Sequence, residues 1–175
     1  MHLARTRLLF FLAFLTCALI IAAVLYLQHS VGLEPCPLCL FQRASLVSCG
    51  VLMLAAACHS PSAAGWCRYC VGLLAVALTG VAVAGLQVWL QTASPEELTP
   101  VIATLQQALD SIAPGRWSEG LPGGAAFCAQ ITWSLFGISL PEWSLLAFVA
   151  IGLLALYPLL SELSRWISAE SRTDD

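Results

Sequence analysis

Eight cysteines in 175 residues are the part of this sequence best suited to chemistry, and their spacing sorts them. Cys36-Pro37-Leu38-Cys39 and Cys67-Arg68-Tyr69-Cys70 are both Cys-x-x-Cys pairs. In a soluble chain two such pairs suggest first a zinc site. A single pair at the start of a helix suggests a redox dithiol instead, because the helix dipole and the free N–H groups of the first turn favour a thiolate. Arg43 follows Cys39 by four residues, one helical turn along on roughly the same face, where its cation can support a thiolate or an anionic ligand. Its alternative role is an interfacial anchor that snorkels to water. Cys17, Cys49 and Cys58 lie in or at the ends of apolar runs and read as small hydrophobes. Cys128 stands alone in a long, less apolar stretch, and in an oxidising compartment an odd thiol either pairs with something or has lost its partner.

Which of these chemistries is open depends on the elements that carry the cysteines. Hydrophobic residues make up 59% of the chain and charged ones only 10%, which excludes an ordinary soluble globule and leaves no room for a separate soluble domain. Seven arginines, no lysine and ten acids give a net charge of −3 and no basic surface for a nucleic acid. Four apolar runs, about 8–27, 40–57, 71–90 and 143–160, each approach the ~20 residues that cross a bilayer as a helix. In lipid the backbone groups of each must be paired internally, so the expected fold is an all-α membrane protein: one domain over 1–175, a bundle of four transmembrane helices. The first run follows Arg5 and Arg7 but is longer than a cleavable signal core and leads into Gln28-His29-Ser30, so it reads as a retained span.

Four spans place the N-terminus, the 58–70 connection and the C-terminal tail on one side, and loops 28–39 and 91–142 on the other. The first side carries Arg5, Arg7, Arg68, Arg165 and Arg172. The second carries Arg116, with Arg43 just inside a helix, and also Glu34, Glu96, Glu97, Asp110, Glu119 and Glu142, so the first is cytoplasmic by the positive-inside rule. Trp66, Trp89, Trp143 and Trp166 fall near span ends, as an interfacial aromatic belt requires. Prolines, among them Pro95, Pro100, Pro114 and Pro141, mark breaks on the outer side. Within the long outer loop, Leu98, Val101, Ile102, Leu105, Leu109 and Ile112 share one helical face, which predicts a short amphipathic helix lying on the membrane or packed on the bundle. The two Cys-x-x-Cys pairs then lie on opposite sides of the membrane and cannot share a metal, so no metal site is expected. Cys67 and Cys70 read as reduced cytosolic-side thiols, whereas Cys36 and Cys39 sit on the oxidising side.

With this layout, three segments resemble the bacterial inner-membrane disulfide bond formation protein B (DsbB) family of quinone-linked thiol oxidases. They are Pro35 to Arg43 between spans one and two, Gly85 to Gln91 closing span three, and Cys128 to Trp133 with Phe136 to Trp143 leading into span four. The resemblance covers nearly the whole chain. It implies a relay in which a disulfide in the first outer loop is regenerated by a membrane quinone, while a second, in the long loop, oxidises a periplasmic DsbA-type protein. By position, Cys36 and Cys39 are the quinone-proximal pair, Arg43 matches the family arginine that supports quinone binding and reaction, and Cys128 is the second cysteine of the distal pair. The first distal cysteine has no counterpart, its place falling on Val101. A disulfide within the long loop is therefore impossible, and Cys128 is free, joined to Cys36 across loops, or bound to the donor in a mixed disulfide.

The expected activity is that of a thiol:quinone oxidoreductase of the inner membrane. Its termini are expected in the cytoplasm, its site on the periplasmic side, its acceptor as ubiquinone rather than menaquinone, and the protein itself as a monomer among lipids engaging its donor. A donor near −120 mV needs an oxidant stronger than ordinary thiol pools, and a lipid-soluble quinone qualifies. Cys39 is expected to engage the quinone while Cys36 exchanges with Cys128. Two other readings stand beside this one. A vitamin K epoxide reductase-like enzyme also couples a Cys-x-x-Cys to a quinone, but carries its pair on a later helix. A non-catalytic membrane protein would hold structural cysteines that resist mild reductant and ignore quinone.

Overall fold

The computed structural model describes residues 2–32, 35–59, 63–112, 124–131 and 133–170. Glu34, Pro114, Arg116, Glu119 and Arg172, which enter the charge and break patterns above, lie outside the described residues. Five α-helices carry the fold: α1 (His2–Val31), α2 (Pro37–His59), α3 (Ala63–Thr92), α4 (Pro95–Ile112) and α5 (Leu140–Glu170). Of these α1, α2, α3 and α5 are long and apolar enough to cross a membrane, over Thr6–Ser30, Pro37–His59, Gly65–Thr92 and Leu140–Ser164. The helices outrun the apolar runs that predict them. The start of α3 at Ala63 puts Cys67 and Cys70 inside a helix rather than in a connection; the alanines before them are strong helix formers.

Helix α3 packs along α2 on one side and α5 on the other, α1 packs along α2, and α1 scarcely touches α5. The core joins a few large side chains, Phe10, Met53, Leu73 and Phe148, to many small ones, including Cys17, Cys49, Ala56, Cys70, Ala77, Ala84 and Ala155. Small residues let membrane helices approach closely, and dispersion between close backbones replaces the hydrophobic drive that lipid cannot supply. Gly80 is the extreme case, since a Cβ there would lie 2.4 Å from Cδ1 of Phe148 on α5. Trp66 departs from the expected belt: it is buried, with its ring edge-on to Phe10 at 5.1 Å, while Trp89 and Trp143 are exposed. At the same end, Arg7 Nε donates to the Ala57 carbonyl at 3.0 Å, satisfying one of the last carbonyls of α2 and complementing its dipole.

The outer loop builds a cover from local signals. Ser94 precedes α4 and is tied to its first turn by Glu97, whose Oε2 accepts from the Ser94 N–H and Oγ at 3.2 and 2.9 Å, the return half of a capping box. Pro95 takes the first helical position, where its missing N–H costs nothing. Pro100, expected as a break, lies inside α4, whose apolar face compensates by packing on the bundle: Leu98, Val101, Ile102 and Leu105 lie against the cluster of Cys36, Leu38, Leu90 and Cys128. After the helix comes a 3-10 turn, η1 (Gly124–Ala129), tied to α4 by Ala125 N–H donating to Gln106 Oε1 at 2.9 Å. A two-residue hairpin, β1 (Ser134–Leu135) with β2 (Ile138–Ser139), then turns through Phe136 and Gly137, both at positive φ, 57° and 81°. That pair of dihedrals suits the tight turns of twisted hairpins, and Gly137 is its sequence signature. Ser139 N–H donating to Glu142 Oε2 at 2.6 Å starts α5.

Gly80→Ala is expected to destabilise the protein by about 1–3 kcal/mol through overpacking. Thermal unfolding in detergent should show the lowered midpoint, and Phe148→Leu in the same background should recover part of it.

Candidate active site

The site grows from the first turn of α2. Cys36 occupies the position just before the helix, Pro37 the first helical position and Cys39 the third. Leu40 N–H donates to the Cys36 carbonyl at 3.2 Å, closing the first helical hydrogen bond, and Cys39 N–H donates to Cys36 Sγ at 3.2 Å. A cysteine sulfur thus does what a serine or aspartate oxygen does at an N-cap, accepting from an N–H that has no partner inside the helix. The geometry brings the Cys36 and Cys39 sulfurs to 2.7 Å from each other, within easy reach of a disulfide.

Two buried glutamines complete the surroundings of the pair. Gln87, on α3, donates from Nε2 to both sulfurs at 3.3 Å, while its Oε1 accepts from Gln42 Nε2 on α2 at 2.8 Å. Both side chains are at least nine-tenths buried. Sequence reasoning did not single out either as functional. The signal was present, since an uncharged polar residue deep in an apolar run must find a partner inside the protein.

Cys128, fully buried on η1, completes a cluster with Cys36 and the end of α3. Among the open alternatives for Cys128, the fold therefore puts it next to Cys36, with both as free thiols. Their ionisation is divided unequally. Hydrogen bonding to Cys128 pushes the Cys36 thiol up to about 12, with burial adding to the rise against the opposing hydrogen bonds from Cys39. The same hydrogen bond, with a contribution from the Leu38 N–H, holds Cys128 below the ordinary thiol value despite its burial. The surroundings thus raise the Cys36 thiol and lower that of Cys128, the opposite of what the helix start by itself would do for Cys36.

On its other side the pair opens to a cavity of about 560 Å³. It occupies the gap between α1 and α5, walled by Ile20, Val24 and Leu27 of α1, by Leu140, Leu146 and Phe148 of α5, and by Trp133 and Leu135. Cys39, Gln42, Arg43 and Ser144 bring polar atoms into an otherwise apolar lining. Arg43, half-buried, donates from Nη1 to Gln28 Oε1 near the end of α1, which holds its guanidinium at the cavity rim.

The profile of the family described as disulfide bond formation protein DsbB matches residues 6–158. The chain belongs to the DsbB family. Among similar DsbB proteins, disulfide bond formation protein B 2 of Pseudomonas syringae pv. syringae is 58% identical over 172 residues, covering 98% of each chain. Disulfide bond formation protein B 1 of Pseudomonas aeruginosa is 44% identical over 86% of this chain and 92% of its own. The corresponding protein of Stutzerimonas stutzeri is 37% identical over 91% and 98%. This DsbB protein is accordingly a multi-pass inner-membrane oxidoreductase of disulfide bond formation.

Within that family frame, Val101 is informative. It lies on the face of α4 packed against the cluster of Cys36, Leu38, Leu90 and Cys128, so the position where the resemblance leads one to expect a cysteine adjoins the site. Cys67 and Cys70 lie outside the site, in the opposite end of α3, and the described residues of this DsbB protein contain no cluster suited to a metal ion.

Replacing Cys36 with alanine removes the largest lowering influence on Cys128 and leaves burial and the Cys39 sulfur, which raise it, against the Leu38 N–H. The Cys128 titration midpoint, read from its 13Cβ chemical shift in reduced protein, should rise from below the ordinary thiol value toward it.

Proposed function

We propose that the protein is a membrane thiol:quinone oxidoreductase that reoxidises a periplasmic DsbA-type protein and delivers the electrons to a lipid-soluble quinone, most simply ubiquinone. The observation that carries this reading is the position of one dithiol between two different openings. Cys39 faces an apolar cavity between membrane helices, while Cys36 faces Cys128 of the outer loop.

A quinone fits the cavity by volume and chemistry. About 560 Å³ lies within the ~300–1,000 Å³ usual for small-molecule sites, with apolar walls and a few convergent polar groups. The apolar gap between α1 and α5 suits a ring carrying a lipid tail, and Arg43, Gln42 and Ser144 can orient ring oxygens. When bound, a quinone supplies a two-electron acceptor. The chain's own part there is to present the Cys39 sulfur, to favour negative charge at the rim through the Arg43 guanidinium, and to exclude water with Trp133, Leu135 and Phe148.

Thiol exchange on the other side follows from the unequal ionisation. The Cys128 thiolate attacks Cys36 Sγ of the oxidised pair, so that the Cys36–Cys128 bond forms as the Cys36–Cys39 bond breaks. A donor thiolate then attacks Cys128, releasing Cys36, and the donor's second thiol resolves the mixed disulfide, leaving the donor oxidised and three thiols in this chain. Because Cys128 is buried under α4, the donor has to displace that cover on docking. The arginine distribution supports cytoplasmic termini and a periplasmic site.

A single-turnover assay tests the reading. Reduced protein in detergent mixed with a ubiquinone analogue should consume one quinone per Cys36–Cys39 disulfide, followed by absorbance and peptide mapping. No quinone consumption, with the pair left reduced, would sink it. Arg43→Ala should slow quinone consumption at least about tenfold, as expected for loss of a preorganised charge. An unchanged rate would leave Arg43 as an anchor only. Cys128→Ser should abolish oxidation of the donor while the Cys36–Cys39 pair still consumes quinone.

A further inference from the structure

We infer that Gln87 is the hydrogen-bond donor that receives the negative charge on Cys39 when the Cys36–Cys39 disulfide opens, and that Gln42 fixes the orientation in which it can do so. Gln87 Nε2 reaches Cys36 Sγ and Cys39 Sγ equally, at 3.3 Å each. Its amide has two ends of opposite character, and only the nitrogen end helps an anionic sulfur. Gln42 Nε2, donating to Gln87 Oε1 at 2.8 Å, anchors the oxygen end, which the protonated Cys39 thiol also reaches at 3.7 Å, and keeps the nitrogen directed at the sulfurs. Both glutamines are buried, Gln87 to 3% exposure and Gln42 to 5%, so no water competes for the amide and the orientation is held by the protein alone.

The step needs such a group. As Cys128 Sγ bonds to Cys36 Sγ, the Cys36–Cys39 bond breaks and both its electrons leave on Cys39 Sγ. No oxidant takes part and no proton is transferred, so a full negative charge develops on a half-buried sulfur at the edge of an apolar cavity. Among the described residues lining the cavity the cation is Arg43, which is held toward Gln28 of α1. The backbone N–H of Cys39 is directed at Cys36 and not at its own sulfur. In the dithiol Gln87 Nε2 is already directed at both sulfurs, so the donor need not reorient as the charge arrives on Cys39, which is the preorganised arrangement that lowers a barrier. A hydrogen bond to a charged partner contributes roughly twice what a neutral one does.

The inference rests on the proposed exchange order only in naming Cys39 as the leaving sulfur, and its test requires neither quinone nor donor. In fully reduced protein, the rate at which N-ethylmaleimide modifies Cys39 is followed by peptide mapping across pH. Gln87→Met keeps length and removes the donor; Gln87→Glu keeps shape and places an acceptor against the sulfurs. The rate at pH 7 should fall about tenfold in Gln87→Met and further in Gln87→Glu, with the pH profile displaced in the same order. Gln42→Leu, which releases the amide without altering Gln87, should lower the rate by about threefold, and it carries the test if either Gln87 variant fails to fold. A folded Gln87→Met protein that reacts at Cys39 with the wild-type rate and pH profile overturns the inference, as does a folded Gln42→Leu protein indistinguishable from wild type. Loss of quinone consumption with this order of rates preserved would instead overturn the proposed function and leave Gln87 in its role.

Discussion

A helix that begins inside a membrane protein has N–H groups that water cannot reach, and the first turn of α2 meets this constraint with sulfur. Cys36 Sγ accepts from the Cys39 N–H, and Pro37 occupies the first helical position and brings no N–H at all. The same contact draws Cys39 back toward Cys36 and fixes the pair as a unit. Everything else in the site is arranged about that capped turn: α3 brings Gln87 to the two sulfurs, η1 brings Cys128 to one of them, and the gap between α1 and α5 opens on the other.

The two sulfurs therefore differ although they share a turn. Cys36 is enclosed, lying beside Cys128 and accepting from two N–H groups, while Cys39 lies at the wall of an apolar cavity. Enclosure on one side and apolar access on the other give two sulfurs of one turn different surroundings. The asymmetry comes from helix packing. Because α1 pairs with α2, and α5 pairs with α3, the bundle leaves a lateral opening where α1 and α5 would meet.

Three cysteines, Cys36, Cys39 and Cys128, meet at the start of α2, and Val101 of α4 lies among the residues that cover them. On α4 it is one apolar residue among Leu98, Ile102 and Leu105, all packed over Cys128. A valine there fills the space with hydrophobic contact and leaves Cys128 no partner in its own loop, so Cys36 becomes its hydrogen-bond partner. That neighbour raises the Cys36 thiol and lowers that of Cys128, against the tendency of a helix N-terminus to favour the thiolate of its own cysteine.

Sequence alone determined the four spans, the amphipathic helix of the long loop and the Cys-Pro-Leu-Cys pair at the start of α2, because each is written in a local pattern: length of apolar run, helical periodicity, and proline at a helix start. Even there its reach was limited by what is local. Trp66 reads as a belt residue from its place at a span end yet is buried against Phe10, and Pro100 reads as a break yet lies within α4. The 136–137 hairpin escapes a search for apolar periodicity because it is only two residues a side. Tertiary structure decided the rest. Cys128 is 89 residues beyond Cys39 and Gln87 is 48 beyond it, distances over which no periodicity carries information. Their meeting depends on how α3 and η1 pack against α2, and with it come the direction of the hydrogen bonds, the residue that bears the charge and the face of the dithiol that meets the cavity.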